Sequence, residues 1–154
     1  MNIDEEYEYE VDEDHPYFGE HIGTTPGFRR QLSQIKNNED GVTGFSCNND
    51  SYDGYVNIGE RLINRAWQLL GRYISNNTHL KRIGLDSCNL TDEKMALLFG
   101  ELRISTSLGE LDLDGNNFGI EGVRSVLPFL ESSPQITILN FGHNAMKSTR
   151  SALS

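Results

Sequence analysis

A chain of 154 residues with 36% hydrophobic residues and a formal net charge of −10 has room for one domain plus a tail. No apolar run follows Met1 and no stretch approaches membrane-spanning length, which argues against secretion and against insertion in a bilayer and points to the cytoplasm. The two cysteines, Cys47 and Cys88, lie in different contexts and suggest no disulfide framework, and the basic residues do not cluster as a nucleic-acid surface would require.

The first 20 residues hold nine of the 23 acidic side chains and no Lys or Arg, so nearly all of the net charge sits there. A block of one sign repels itself and buries too little apolar surface to offset the entropy of ordering, which predicts a solvated, disordered tail. Tyr7, Tyr9, Tyr17 and Phe18 interrupt it with aromatic groups. Gly23 to Gly27, with Pro26, reads as a hinge. Phe28, Leu32 and Ile35, among Arg29, Arg30 and Lys36, predict one short amphipathic helix. Asn37 to Asp53 is rich in Asn, Asp, Gly and Ser and reads as loop. Residues 1–40 are therefore expected to form an acidic tail with one short helix, and residues 41–154 the folded domain.

From residue 80 onward one pattern occurs three times at intervals of 28. The copies are Leu80, Ile83, Leu85, Cys88, Leu90; then Leu108, Leu111, Leu113, Asn116, Phe118; then Ile136, Leu139, Phe141, Asn144, Met146. Alternation along a strand sends Ile83 and Leu85, with their counterparts, into a core and leaves the residues between them on the opposite face. The Asn or Cys that follows stands where the chain turns, and it can satisfy backbone groups of its own copy and of the neighbouring one. Helices follow the strands. Thr91, Asp92 and Glu93 supply a cap and two carboxylates at a helix start, and Met95, Leu98, Phe99 and Leu102 recur at helical spacing. The equivalents one interval on are Val123, Val126, Leu127 and Leu130, with a kink or early termination expected at Pro128. One interval back lie Trp67, Leu70, Gly71 and Ile74, which predict a further helix over about residues 59–75 and place its strand near Tyr52, Tyr55 and Asn57.

The pattern and its period resemble the leucine-rich repeat, and the helix in each copy resembles the ribonuclease-inhibitor-like class of that family. Leu111 to Val123 carries the motif most fully, with Gly119 and Gly122 three and six residues after Asn116. Gly122 to Leu130 and Asn76 to Leu80 also resemble phrases of the short leucine-rich-repeat proteins of diatoms and related algae. The resemblance implies an α/β fold: a right-handed strand–helix solenoid with parallel strands on its concave face. Residues 41–79 would be a degenerate capping repeat, followed by repeats at 80–107, 108–135 and 136–154, the last incomplete. Members of the class are inhibitors, activators of small GTPases and adaptors. The resemblance therefore implies a protein-binding module, with an enzyme regulator (an inhibitor or a GTPase-activator-like protein) as the alternative.

Stacked copies would place residues 28 apart side by side on neighbouring strands, about 4.8 Å apart. The outward columns then read Arg82, Glu110, Ile138; Gly84, Asp112, Asn140; and Asp86, Asp114, Gly142. Asp86, Glu110, Asp112 and Asp114 gather into an acidic patch of one sign, which would attract a basic protein partner. Arg82 and Asn140 complete the expected binding face. Asp112, Asp114 and Asn116 superficially suggest a calcium loop, but Asn117 occupies the position that needs glycine and Val123 the one that needs glutamate. His15, His21, His79 and His143 are scattered in repeat phase, without a nucleophile's context or metal spacing. The sequence thus predicts no catalytic residue, no metal, no cofactor, no nucleic acid and no membrane partner. The short third copy leaves a strand edge open, which predicts that the chain is a fragment, or a truncated member of a longer array, or associates with itself through that end.

Overall fold

The computed structural model describes residues 26–47 and 60–146. The acidic segment 1–20, the stretch from Tyr52 to Asn57 and the residues after Met146 lie outside them. The architecture is α/β: a four-stranded parallel sheet in the order β1-β2-β3-β4, with helices between the strands. The strands are β1 (Gly44–Ser46), β2 (Arg82–Gly84), β3 (Glu110–Asp112) and β4 (Ile138–Asn140). The helices are α1 (Pro26–Lys36), α2 (Glu60–Asn76), α3 (Asp92–Glu101) and α4 (Ile120–Glu131). Successive helices pack side by side: α1 on α2, α2 on α3, and α3 on α4.

The register follows the sequence interval. Arg82, Ile83 and Gly84 pair with Glu110, Leu111 and Asp112, which pair in turn with Ile138, Leu139 and Asn140. Ile83, Leu85, Leu111 and Leu113 are fully buried, and with Trp67, Leu70, Met95, Leu98 and Phe118 they form one continuous apolar layer under the helices. At about 25 cal/mol per Å² of apolar surface removed from water, this layer is the main favourable contribution to the fold.

The strand next to β2 corrects one expectation. It is Gly44–Ser46, inside the stretch read as loop, and it pairs Phe45 with Ile83. Val42, Phe45 and Cys47 repeat the spacing of Leu80, Ile83 and Leu85, and all three pack into the core. Phe45 precedes Ile83 by 38 residues rather than 28, whereas Trp67 precedes Met95 by 28. Ten additional residues therefore separate β1 from α2. Stepping back by one interval finds the helix and misses the strand.

Buried backbone groups at the strand ends are met by one side chain per copy. Asn116 accepts from the amides of Cys88 (2.9 Å) and Leu90 (3.0 Å) and donates to the carbonyls of Leu85 (2.8 Å) and Leu113 (3.0 Å). Asn144 donates to Leu113 and Phe141 in the same way, at 3.0 and 3.1 Å. Cys88 holds the slot with its thiol, which donates to the carbonyl of Cys47 at 3.1 Å. Its role is that of a small buried polar residue. At the other end of the strands a second column, Asn77, Ser105 and Ser133, is also buried at intervals of 28. Asn77 accepts from the amides of His79 and Leu80, and Ser105 accepts from that of Leu108.

Two local features differ from expectation. Pro26 and Gly27 open α1 rather than forming part of a hinge. Proline suits the first helical turn because its missing N–H would have no partner there. Pro128 neither ends nor shortens α4, which continues to Glu131. Pro128 and Arg124 are both exposed, so the Arg124 carbonyl that loses its donor is open to water. Leu127 is exposed as well, and Phe129 takes the buried place, its ring 5.6 Å from that of Phe99.

Glycines permit two close approaches. A Cβ on Gly71 would lie 2.3 Å from the Leu98 carbonyl oxygen, so its absence lets α2 and α3 touch. A Cβ on Gly122 would lie 2.8 Å from an Asp92 carboxylate oxygen, which accepts from the amides of Gly119 (2.7 Å) and Gly122 (2.8 Å). Asp92, in the first turn of α3, thereby caps the start of α4, whose own cap position, Gly119, has no side chain to do so.

Candidate functional site

Side chains that do not enter the core leave the sheet on its other face, and the register places the outward residues of β2, β3 and β4 in rows. Arg82 lies at the centre. Its Nε donates to Glu110 Oε1 at 3.1 Å, and its Nη2 is 4.0 Å from Asp112 Oδ2. Gly84 makes this possible: a Cβ there would meet the Arg82 guanidinium at 3.3 Å, so the bare glycine lets the arginine lie over the strand. The face is thus not of one sign, as the four carboxylates alone suggested. Arg82 partly neutralises Glu110 and Asp112, because the pairing register sets its guanidinium directly beside β3.

Asp112 has a second task. Its Oδ1 accepts from the Asp114 amide at 3.0 Å, and Asn140 does the same for the Gly142 amide at 2.9 Å one strand over. These are Asx turns, in which a short polar side chain closes the chain on its own backbone two residues on. Asp114 pairs with His143: the His143 Nδ1 lies 2.8 Å from Asp114 Oδ1. A Cβ on Gly142 would fall 2.6 Å from that same carboxylate oxygen, so glycine at 142 keeps the pair's space clear. The hydrogen bond to Asp114, and then its charge, raise the His143 pKa above the ordinary 6.5.

His143 also closes a column of left-handed residues. Ser87, Gly115 and His143, spaced 28 apart, have φ values of 54°, 67° and 49°. A residue with a Cβ is uncommon there, although histidine tolerates it better than most. The Asp114 contact helps hold His143 in that conformation.

All six residues expected on the binding face are described. Arg82 meets Glu110 and Asp112 across β2 and β3, Asn140 is the register partner of Asp112 on β4, and Asp114 is tied to Asp112 through its amide and to His143 through its carboxylate. Asp86 stands on the same side, half-buried, without an ion pair among the described residues. His143 was missed because it lies one residue past the column partner of Asp114, at an interval of 29 rather than 28. His79 points elsewhere, to Asp40 at 2.9 Å.

The described residues contain no group of three or more His, Cys, Asp or Glu placed to hold a metal, and no helix among them is long and apolar enough to cross a membrane. The arrangement is a group of side chains of both signs on one face of the sheet, held by the Arg82 and His143 pairs and by the two Asx turns.

No family model matches the sequence, and no curated protein matches it. Among solved structures the chain is similar to the one titled "Leiomodin-1 Actin-Binding Site 2 (ABS2)", with 21% identity and a TM-score of 0.59. The match covers 76% of this chain and 62% of that one, so it spans less than two thirds of the neighbour's length. At this identity the likeness is one of fold.

Proposed function

We propose that this chain is a leucine-rich-repeat solenoid of the ribonuclease-inhibitor-like class, working as a protein-binding module through the open face of its sheet. The observation that carries this reading is the cross-strand row of Arg82, Glu110 and Asp112, extended by Asp114 and His143. Side chains that served only solubility would gain nothing from being paired across neighbouring strands. Here Gly84 and Gly142 keep room for the paired groups. The 28-residue register, the side-by-side helices and the Asn column support the solenoid, with the polar row on its concave side. That the neighbouring fold is titled as an actin-binding site is in keeping with a binding role.

The partner would be a protein surface rich in Lys and Arg. Asp86, Glu110, Asp112 and Asp114 outnumber Arg82 and His143 on this face, so the local potential stays negative. Arg82 would discriminate by asking for one acidic or carbonyl group among the partner's cations.

Affinity capture followed by kinetics tests this. Replacing Asp86, Asp112 and Asp114 with Asn and Glu110 with Gln should slow association with the captured partner about tenfold or more at low salt and flatten the salt dependence. Asn at 112 keeps the turn, since Asn140 closes the same turn on β4. An unchanged association rate would remove this face from the interaction.

A further inference from the structure

The far edge of the sheet carries a second surface, next to the polar row. We propose that β4 pairs antiparallel with β4 of a second copy about a two-fold axis, joining two four-stranded sheets and setting α4 beside its own mate.

The strand itself is the first reason. Ile136 to Gly142 reads Ile-Thr-Ile-Leu-Asn-Phe-Gly, without a charge or a proline, whereas β2 and β3 contain Arg82, Glu110 and Asp112. Edge strands normally carry charges, prolines or bulges that prevent pairing. The outward backbone groups are also ready for a neighbour. On β2 and β3 the amides of Leu85, Ser87, Leu113 and Gly115 donate to the next strand. Their counterparts on this edge are the amides of Phe141 and His143. Two like strands without charge can meet here without repulsion.

The helix is the second reason. Asp92 and Phe99 are the residues of α3 that reach across to the next helix, Asp92 to Gly119 and Gly122, and Phe99 to Phe129. The same two positions on α4 are Ile120 and Leu127, 49% and 45% exposed. They lie seven residues apart on one face. An antiparallel mate would bring Ile120 onto Leu127 of the second copy and Leu127 onto its Ile120, the reciprocal contact that a two-fold interface requires. Arg124, between them, is paired with Glu121, so each copy brings both signs to the axis. Leu139, 42% exposed, would be covered at the same time.

The opposite edge decides between a closed pair and an open filament. On β1 the Cys47 amide donates inward to Gly84, so the Ser46 amide faces outward, and Gln31 of α1 accepts from it at 3.1 Å. Leu32 and Ile35 seal α1 to the core. Stacking β4 of a second copy on this edge would have to displace the Gln31 contact, which the open β4 edge does not require. Pairing is therefore between like edges, and it stops at two.

Sedimentation across a concentration series tests the proposal with three variants. The wild type should pass from the 17.4 kDa monomer to twice that mass as concentration rises. Leu127→Glu and Leu139→Lys should stay monomeric at the highest concentration, and Ile104→Glu, which alters an exposed apolar residue elsewhere, should dimerise like the wild type. If Leu139→Lys fails to fold, Leu127→Glu still decides, because its side chain is on the helix surface. A wild type that is monomeric throughout, a dimer that survives Leu127→Glu, or growth beyond two copies would each overturn the proposal.

Discussion

At β1, Phe45 is 1% exposed, its edge amide neighbour Ser46 is capped by Gln31, and α1 lies over the flank; at β4, Leu139 is 42% exposed and nothing among the described residues occupies the outer edge. Leu111, the register partner of Leu139 on β3, is 0% exposed. The same strand pattern thus has three energetic settings: closed at the start, buried in the middle and open at the end. The strand that follows supplies much of the burial, so a leucine at a given place in the pattern contributes according to the strand it belongs to.

The largest expected effect breaks the middle of the array. Leu113→Ala should cost about 2–5 kcal/mol in denaturant unfolding, since the side chain is fully buried and its cavity cannot collapse between two strands. Leu139→Ala should cost about 1 kcal/mol, because much of its surface is already in water in the monomer. Equal costs would show that the open end is covered in solution.

The asparagine column sharpens the same contrast. Asn116→Ala leaves the amides of Cys88 and Leu90 and the carbonyls of Leu85 and Leu113 without their partner, on the order of 3 kcal/mol. Asn144→Ala should cost less than half of that, because its site is only partly buried. Gln31→Ala probes the closed edge. It removes one hydrogen bond to the Ser46 amide at an exposed site, about 0.5–1 kcal/mol by chemical denaturation.

The mildest effect is the pH response of the open end. His143 has its pKa raised by Asp114, so the pair contributes in full below about 6.5 and its contribution is lost as pH rises through the raised value. An NMR titration of the His143 ring should show a midpoint above 6.5 that returns towards it in Asp114→Asn. A midpoint that is the same in both proteins would separate the two side chains in solution.

Much of this was legible in the sequence because burial repeats with the chain. Ile83 and Leu111, with Leu85 and Leu113 two positions on, are buried as the pattern requires, while Leu139 and Phe141 in the third copy are not fully covered, and the interval of 28 became the strand register directly. The first strand was not legible by that route, since the ten residues inserted between β1 and α2 shift Phe45 out of phase. Its own spacing, Val42, Phe45 and Cys47, was the available signal. Charge pairing was harder to read. That Arg82 would lie over Gly84 to reach Asp112, or that Asp92 would cap a neighbouring helix, depends on side-chain reach across copies, which a column of residue types does not contain.

Amide hydrogen exchange at a dilution that keeps the chain monomeric addresses the contrast between closed and open ends most directly. The amides of Leu85 and Leu113, which donate to the next strand, should exchange only through global unfolding, and that of Ser46 should show measurable protection from Gln31. Those of Phe141 and His143 should exchange almost as fast as in an unfolded peptide. Protection of Phe141 equal to that of Leu113 in the monomer, or none at Ser46, would contradict a sheet that is closed at β1 and open at β4.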